Sequence, residues 1–280
     1  MIDEGRRSTV KEIITKYKRE PDLEKTIYVE GYTDKILVKW FLKQAKINNI
    51  IVNEINQIQI DKDTVLALEL DDNARSRVIT LTTLVDNHII GIIDSDFDFL
   101  SEPLYPHKDI LCKTDYACME MYCFNEDTLE KILLGYSEKK QPSNFVSFKG
   151  MLSSILKELF LIRYAKDNKA KSLENLDFKK DIKLNSKELI FDRENYMTKY
   201  FSNGTTMIDE IKSFIENAKT RSPEDDKKII NGHDFVSLLQ IYLEIKQKDA
   251  TVTFQKSLYS SLEFDKLKEE GMFKKVLSLI

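Results

Sequence analysis

The chain is poor in the residues that interrupt structure. Of its 280 residues only 8 are Gly and 5 are Pro, which leaves no room for long flexible linkers. Cysteine is scarce and odd in number: Cys112, Cys118 and Cys123. Three thiols fit a reducing cytoplasm better than a disulfide framework. No apolar run approaches the ~18 residues a membrane span needs, so no membrane association is expected. The start, Met1-Ile-Asp-Glu-Gly-Arg-Arg, is polar, and no leader peptide is expected. A large excess of either charge is missing as well. Lys and Arg number 43 against 47 Asp and Glu, a net charge of −4. That argues against general polyanion binding and leaves room for a local basic patch. Neither an internal repeat nor a low-complexity segment stands out. What remains, 42% hydrophobic and 32% charged, is the composition of a soluble globular protein of one large or two modest domains.

Periodicity divides the chain near residue 140. Before it, short apolar runs alternate with helical patterns. Ser8 to Tyr17 places Val10, Ile13, Ile14 and Tyr17 on one helical face, and Arg19-Glu-Pro21 ends it. Strands are expected at Thr26–Glu30, Ile50–Val52, Ile89–Ile93 and Ile110–Cys112, with a further one at Met119–Phe124. Helices are expected at Thr33–Leu42 and Ala74–Val85. The stretches Asn53–Ile60 and Val65–Leu68 fit either type. After Pro142 the pattern is helical: Phe145–Tyr164, Thr206–Ala218 and Asp234–Lys246, with Ser222 as an N-cap before Pro223. The expectation is an α/β domain over 1–140 and a mostly helical region over 141–280.

Two strand tips carry acids. Thr26-Ile-Tyr-Val-Glu30-Gly ends a strand in a carboxylate, and Gly31 both permits φ angles closed to other residues and admits a ligand to the backbone. His88-Ile-Ile-Gly-Ile-Ile-Asp94-Ser-Asp96-Phe-Asp98 ends another in Asp-x-Asp. In open α/β sheets ligands sit outside the carboxyl ends of the strands. Carboxylates gathered there suit a hard divalent cation, Mg²⁺ or Mn²⁺. Asp34, four residues after Glu30, is either a further ligand or an acid in a helix first turn. Asp98 and Glu120 are weaker candidates for a second ion.

Other readings of these motifs fit less well. A calcium loop starting at Asp94 needs Gly and Glu where Phe99 and Tyr105 stand. An aspartyl phosphatase needs its Asp-x-Asp on the first strand. A glycosyltransferase Asp-x-Asp stays open. His107 and the three cysteines lack the spacing of a zinc site. Asn231-Gly-His-Asp234 reads as a capping turn, with Asp234 the N-cap. Arg75 and Arg77, at the opening of a helix, are candidates for phosphate contact. Lys179, Lys180 and Lys183 lie in the most basic stretch, read as a solvated helical face or a nucleic-acid surface.

Taken together, Val29-Glu-Gly-Tyr-Thr-Asp34 and Ile92-Ile-Asp-Ser-Asp96 resemble the Toprim domain shared by topoisomerases, bacterial primases and overcoming-lysogenization-defect nucleases. Thr114-Asp-Tyr, Glu120 and Asn231-Gly-His-Asp234 are similar to the Toprim-like effector of PARIS-type anti-phage systems. The resemblance implies a parallel sheet flanked by helices, with Glu30, Asp94 and Asp96 holding Mg²⁺ or Mn²⁺. It implies a toxic nuclease acting on RNA such as host tRNA, restrained by an ABC-type ATPase, and a homodimer is expected when it is active. No Walker-type loop is seen in this sequence, and the restraining ATPase is expected as a partner.

Overall fold

A computed structural model describes residues 7–20, 23–85, 88–102, 105–106, 108–201, 207–245 and 250–280. The expectations that touch Pro21, His107, Thr206 and Lys246 fall outside the described residues. The chain divides into two compact units. One comprises Met1–Ser95, Pro103–Asp115 and Glu263–Ile280; the other comprises Asp96–Glu102 and Tyr116–Leu262. A division at residue 140 differs from this one, because the last eighteen residues belong with the first unit and 116–140 with the second.

The first unit is built on four parallel strands: β1 (Thr26–Val29), β2 (Ile51–Glu54), β3 (Ile89–Ile93) and β4 (Leu111–Lys113). Their order across the sheet is β2-β1-β3-β4. All four residues of β1 and all five of β3 are buried, as central strands covered on both faces must be. Helix α1 (Val10–Arg19) opens with a capping box in which Thr9 and Glu12 bond each other's backbone N–H. Its Ile13 and Tyr17 join Tyr28, Ile89 and Ile93 in one core, to which α3 (Ala74–Leu84) adds Val78, Ile79 and Leu81. Helix α2 (Tyr32–Gln44) buries Leu37, Val38 and Phe41. The C-terminal helix α10 (Gly271–Leu279) sets Phe273 against Phe41, ring centroids 4.4 Å apart. The ambiguous stretches resolve as a 3₁₀ turn at Ile55–Gln57, a two-residue bridge at Ile58–Gln59 and a short helix at Lys62–Leu66.

The second unit is mostly helical, with α4 (Glu126–Tyr136), α5 (Phe145–Lys169), α6 (Arg193–Phe201), α7 (Met207–Thr220), α8 (Gly232–Tyr242) and α9 (Ala250–Ser260). Three expectations are corrected here. Met119–Cys123 is a 3₁₀ helix, not a strand. Asp225, not Ser222, caps the next turn, a 3₁₀ helix at Asp226–Ile229. Asn231, not Asp234, caps α8, accepting from the N–H groups of His233 and Asp234. An antiparallel hairpin that the lysine-rich sequence does not announce joins β5 (Ile182–Asn185) to β6 (Glu188–Phe191). Among the described residues no helix is long and apolar enough to cross a membrane.

Candidate functional site

The strand order places the topological switch between β1 and β3, where the chain runs outward to β2 on one side and to β4 on the other. The crevice beyond the carboxyl ends of these two strands is the favoured ligand position of such a sheet. Glu30 is the first residue past β1 and Asp94 the first past β3. Their strands are neighbours in register, Val29 beside Ile92, so the two acids meet. The backbone N–H of Asp94 donates to Glu30 Oε1 at 2.8 Å. Both residues are half-buried. One Glu30 oxygen thus fixes the β3 tip while the carboxylate stays at the sheet edge.

The turn into α2 follows at once. Asp34 Oδ2 accepts the Gly31 N–H at 2.9 Å, which caps the helix from its third residue. The expected special φ at Gly31 is corrected: its φ of −139° is ordinary extended backbone. A Cβ there would meet only Asp34 Oδ2, at 3.6 Å, so the glycine keeps the crevice wall low and nothing more.

A second support was invisible in the sequence. Ser95, the middle residue of Asp-x-Asp, is fully buried. Its N–H donates to Thr114 Oγ1 at 2.9 Å and its Oγ to Thr114 O at 2.5 Å. The Thr114 N–H returns a bond to Ile93 O at 3.0 Å. These three bonds pin the β3 tip to the β4 tip. Nineteen residues separate Ser95 from Thr114, so only strand pairing brings them together.

The boundary between the units falls between Ser95 and Asp96. Asp96 has φ of +44°, a left-handed conformation that aspartate tolerates and β-branched residues do not. Within the second unit its N–H donates to Ala117 O at 2.8 Å. Phe97 packs edge-on against Phe160, centroids 4.9 Å apart, and lies 5.2 Å from Tyr164. Lys227 Nζ stands 3.4 Å from the Tyr116 ring centroid and Lys228 Nζ 5.2 Å from that of Phe99. The Ala117 N–H donates to Lys227 O at 3.0 Å, so the Asp96 loop and these lysines share one support. Sequence reasoning passed over Lys227 and Lys228, whose only local signal is a Lys-Lys pair ahead of Asn231.

The remaining candidates are placed elsewhere. Glu120 is buried in the second unit, where Gln255 Nε2 donates to its Oε1 at 2.9 Å. A Cβ on Gly232 would fall 2.1 Å from its Oε2, so the start of α8 lies directly against this carboxylate. Asp98 is half-buried in the loop after Phe97. Arg75 holds its guanidinium 5.1 Å over the Tyr105 ring, and Arg77 Nε pairs with Asp72 at 2.8 Å. Lys179 and Lys180 sit on a 3₁₀ turn and Lys183 on β5, all exposed, which corrects the helical reading of that stretch. His233 is exposed in the first turn of α8, and Asp234 forms a bidentate pair with Arg163, both bonds 2.7 Å. The cysteines are all free and buried. Burial pushes the Cys112 thiol up to about 12 against a smaller opposing pull from Lys275. Burial, then the Glu120 charge, raises the Cys123 thiol well above its ordinary range.

Among the described residues no group of three or more His, Cys, Asp or Glu side chains is gathered as a metal site. The donors at the switch point are nonetheless carboxylate oxygens, the type that hard divalent cations take. Compared with known proteins, the chain matches no family model and no curated protein sequence.

Proposed function

We propose that this protein is a Mg²⁺- or Mn²⁺-dependent nuclease of the Toprim type, acting on RNA as a toxic effector in anti-phage defence. The observation that carries the reading is the meeting of Glu30 and Asp94 at the switch point of a parallel sheet. Asp96 is the third carboxylate of the reading, with Asp34, Asp98 and Glu120 the candidates for a second ion. A bound cation would offset the charge of a scissile phosphate and lower the pKa of attacking water. Glu30 has one oxygen on the Asp94 N–H, and its carboxylate would be the group that takes a proton from water. Asp94 is anchored through its own backbone N–H. Lys227 and Lys228 are the cations of the Asp96 loop, and a phosphate approaching that loop would meet them. Arg75, Arg77 and the exposed lysines Lys179, Lys180 and Lys183 supply basic surface for nucleic acid. RNA, host tRNA in particular, an ABC-type ATPase partner and an active homodimer come from the resemblance to PARIS-type effectors.

A second reading, a non-catalytic module that docks on a partner ATPase, is favoured by one observation. Asp34 and Glu120 both spend carboxylate oxygens on hydrogen bonds inside the fold. The test is direct. Purified protein is incubated with total RNA and with plasmid DNA in Mg²⁺, Mn²⁺ or EDTA. Metal-dependent cleavage of RNA, lost in EDTA and in Glu30→Gln, is the expected result. Turnover of a nucleotide-sugar with nucleic acid untouched would move the assignment to the glycosyltransferases. No turnover in any metal, with tight binding to an ATPase, would support the docking module.

A further inference from the structure

Thr114 and Asp115 are adjacent, and each holds a different part of the α/β unit. Thr114 accepts from the N–H and from the hydroxyl of Ser95, as described above. Asp115 reaches the other way. Its Oδ2 accepts the N–H of Met272, the second residue of α10, at 3.0 Å. That N–H is one of the four that a helix start leaves without an intrahelical partner. The residue in the N-cap position, Glu270, makes no side-chain cap, so the acceptor comes from 157 positions away in the chain. A carboxylate is also the charge that a helix N-terminus favours. The fit is close: a Cβ on Gly271 would lie 2.5 Å from Asp115 Oδ1. Two more bonds seat the helix. Lys275 Nζ donates to Leu111 O at 3.0 Å, and Lys25 donates to Leu279 O. Helix α10 is therefore fastened at both ends to the sheet unit. Its N-terminal fastening is one peptide away from the bonds that fix the middle of Asp-Ser-Asp.

We propose that Asp115 is a positioning residue, which passes the seating of the C-terminal helix through Thr114 to the Asp94–Ser95 tip of β3. The consequence for metal binding rests on the function proposed above; the mechanical tie does not. If α10 lifts, the Asp115 end of β4 loses its fixed partner, and Thr114 no longer offers Ser95 a rigid pair of acceptors. A ligand carboxylate held by such an outer layer loses affinity when the layer loosens.

The experiment measures amide exchange residue by residue, together with Mn²⁺ titration, on the full chain. Asp115→Ala removes the acceptor. Gly271→Ala disturbs the same contact from the other partner, and Asp115→Asn keeps a carbonyl to accept the Met272 N–H. The expected result is an exchange rate at the Ser95 amide about tenfold faster in Asp115→Ala and Gly271→Ala, the scale of one lost charge-assisted hydrogen bond. The Ile27 amide of β1 should exchange as in the wild type. Mn²⁺ affinity should fall by about tenfold in the same two variants. Asp115→Asn should stay near the wild type in both readings. Faster exchange at Met272 with none at Ser95 would make Asp115 a helix cap only and overturn the proposal. Should Asp115→Ala fail to fold, Gly271→Ala decides on the same criterion. A wild type that binds no Mn²⁺, with the Ser95 effect intact, would remove the metal reading and leave the tie standing.

Discussion

In the α/β unit Glu30 and Asp94 stand half-buried at neighbouring strand tips, and the bond between them uses a backbone N–H. In the helical unit Glu120 and Asp234 are each 3% exposed, and side chains hold them: Gln255 for one, Arg163 for the other. The four acids look alike in sequence, each near a short apolar run. Their surroundings differ in what they leave for chemistry. A half-buried carboxylate at a sheet edge can take up a ligand at small cost to the fold. A buried carboxylate must be fully satisfied, and once it is, it serves the fold. The Arg163 guanidinium shows the second case from the cation's side. Burial pulls its pKa down, yet the Asp234 bonds and charge override that and hold it above its ordinary value.

The sharpest break of this comparison is at Asp234. Asp234→Ala leaves Arg163 buried without its partner, and breaking such a pair costs about 3–5 kcal/mol. Urea denaturation should show that loss, with any activity falling only as the folded fraction falls. Glu30→Gln should behave in the opposite way. Its amide oxygen can still accept the Asp94 N–H, so stability should stay within about 1 kcal/mol of wild type. Cleavage of RNA should drop by at least the ~10²-fold typical of a lost general base. Wild-type cleavage by Glu30→Gln would sink the nuclease assignment. Asp94→Asn with Asp96→Asn tests the other strand tip. Asn also tolerates the left-handed backbone at Asp96, so the pair should fold and fail to cleave.

These two neighbourhoods also differ in how far the sequence revealed them. The strands at Thr26 and Ile89, and the acids at their tips, were legible because a buried parallel strand is a continuous apolar run with an abrupt polar end. The α/β expectation holds for the same reason. Met119-Glu-Met-Tyr-Cys123 gives an equally apolar run, but all five residues are buried in a 3₁₀ helix. Periodicity cannot separate these cases in five residues. At α8 two good capping residues stand three apart. Asp234 is claimed by Arg163, seventy-one positions away, so Asn231 caps. The Ser95–Thr114 and Asp115–Met272 bonds depend on strand order and on a helix returning from the far end of the chain. Nothing local in the sequence encodes them.

Gly232 offers a smaller perturbation on the buried side. Gly232→Ala drives a methyl group into Glu120 and Cys118, whose Sγ would be 2.7 Å away. Overpacking of this kind costs about 1–3 kcal/mol. The thermal midpoint should fall, while Mn²⁺ affinity at the switch point should not change. A loss of Mn²⁺ binding in Gly232→Ala would instead place Glu120 among the ligands.

Acid titration separates the ion-pair network of the helical unit. Burial raises the pKa of Glu158, but hydrogen bonds and charges from Lys219 and Arg193 outweigh it and hold the carboxyl below its ordinary value. Asp226 is lowered in the same way by Lys157 and Ser153, against the effect of burial. For such groups the folded state binds protons less readily than the unfolded chain. Their stabilisation is complete above the ordinary carboxylate pKa and is lost as pH falls through the lowered native value. Glu158→Gln should flatten that acid limb in thermal melts.

The smallest expected effect is at Asp34, which belongs to both sides of the comparison. It is buried like the acids of the helical unit, yet it lies four residues past Glu30 at the sheet edge. Its bond to the Gly31 N–H at 2.9 Å is a helix-start bond. An asparagine can still accept that N–H, and only the favourable charge at the N-terminus is lost, about 0.3–1 kcal/mol. Asp34→Asn should therefore lower stability by no more than that, with RNA cleavage in low Mg²⁺ unchanged. If cleavage falls and excess Mn²⁺ partly restores it, the carboxylate is a metal ligand that also caps the helix. Full activity with the small loss of stability assigns Asp34 to the fold.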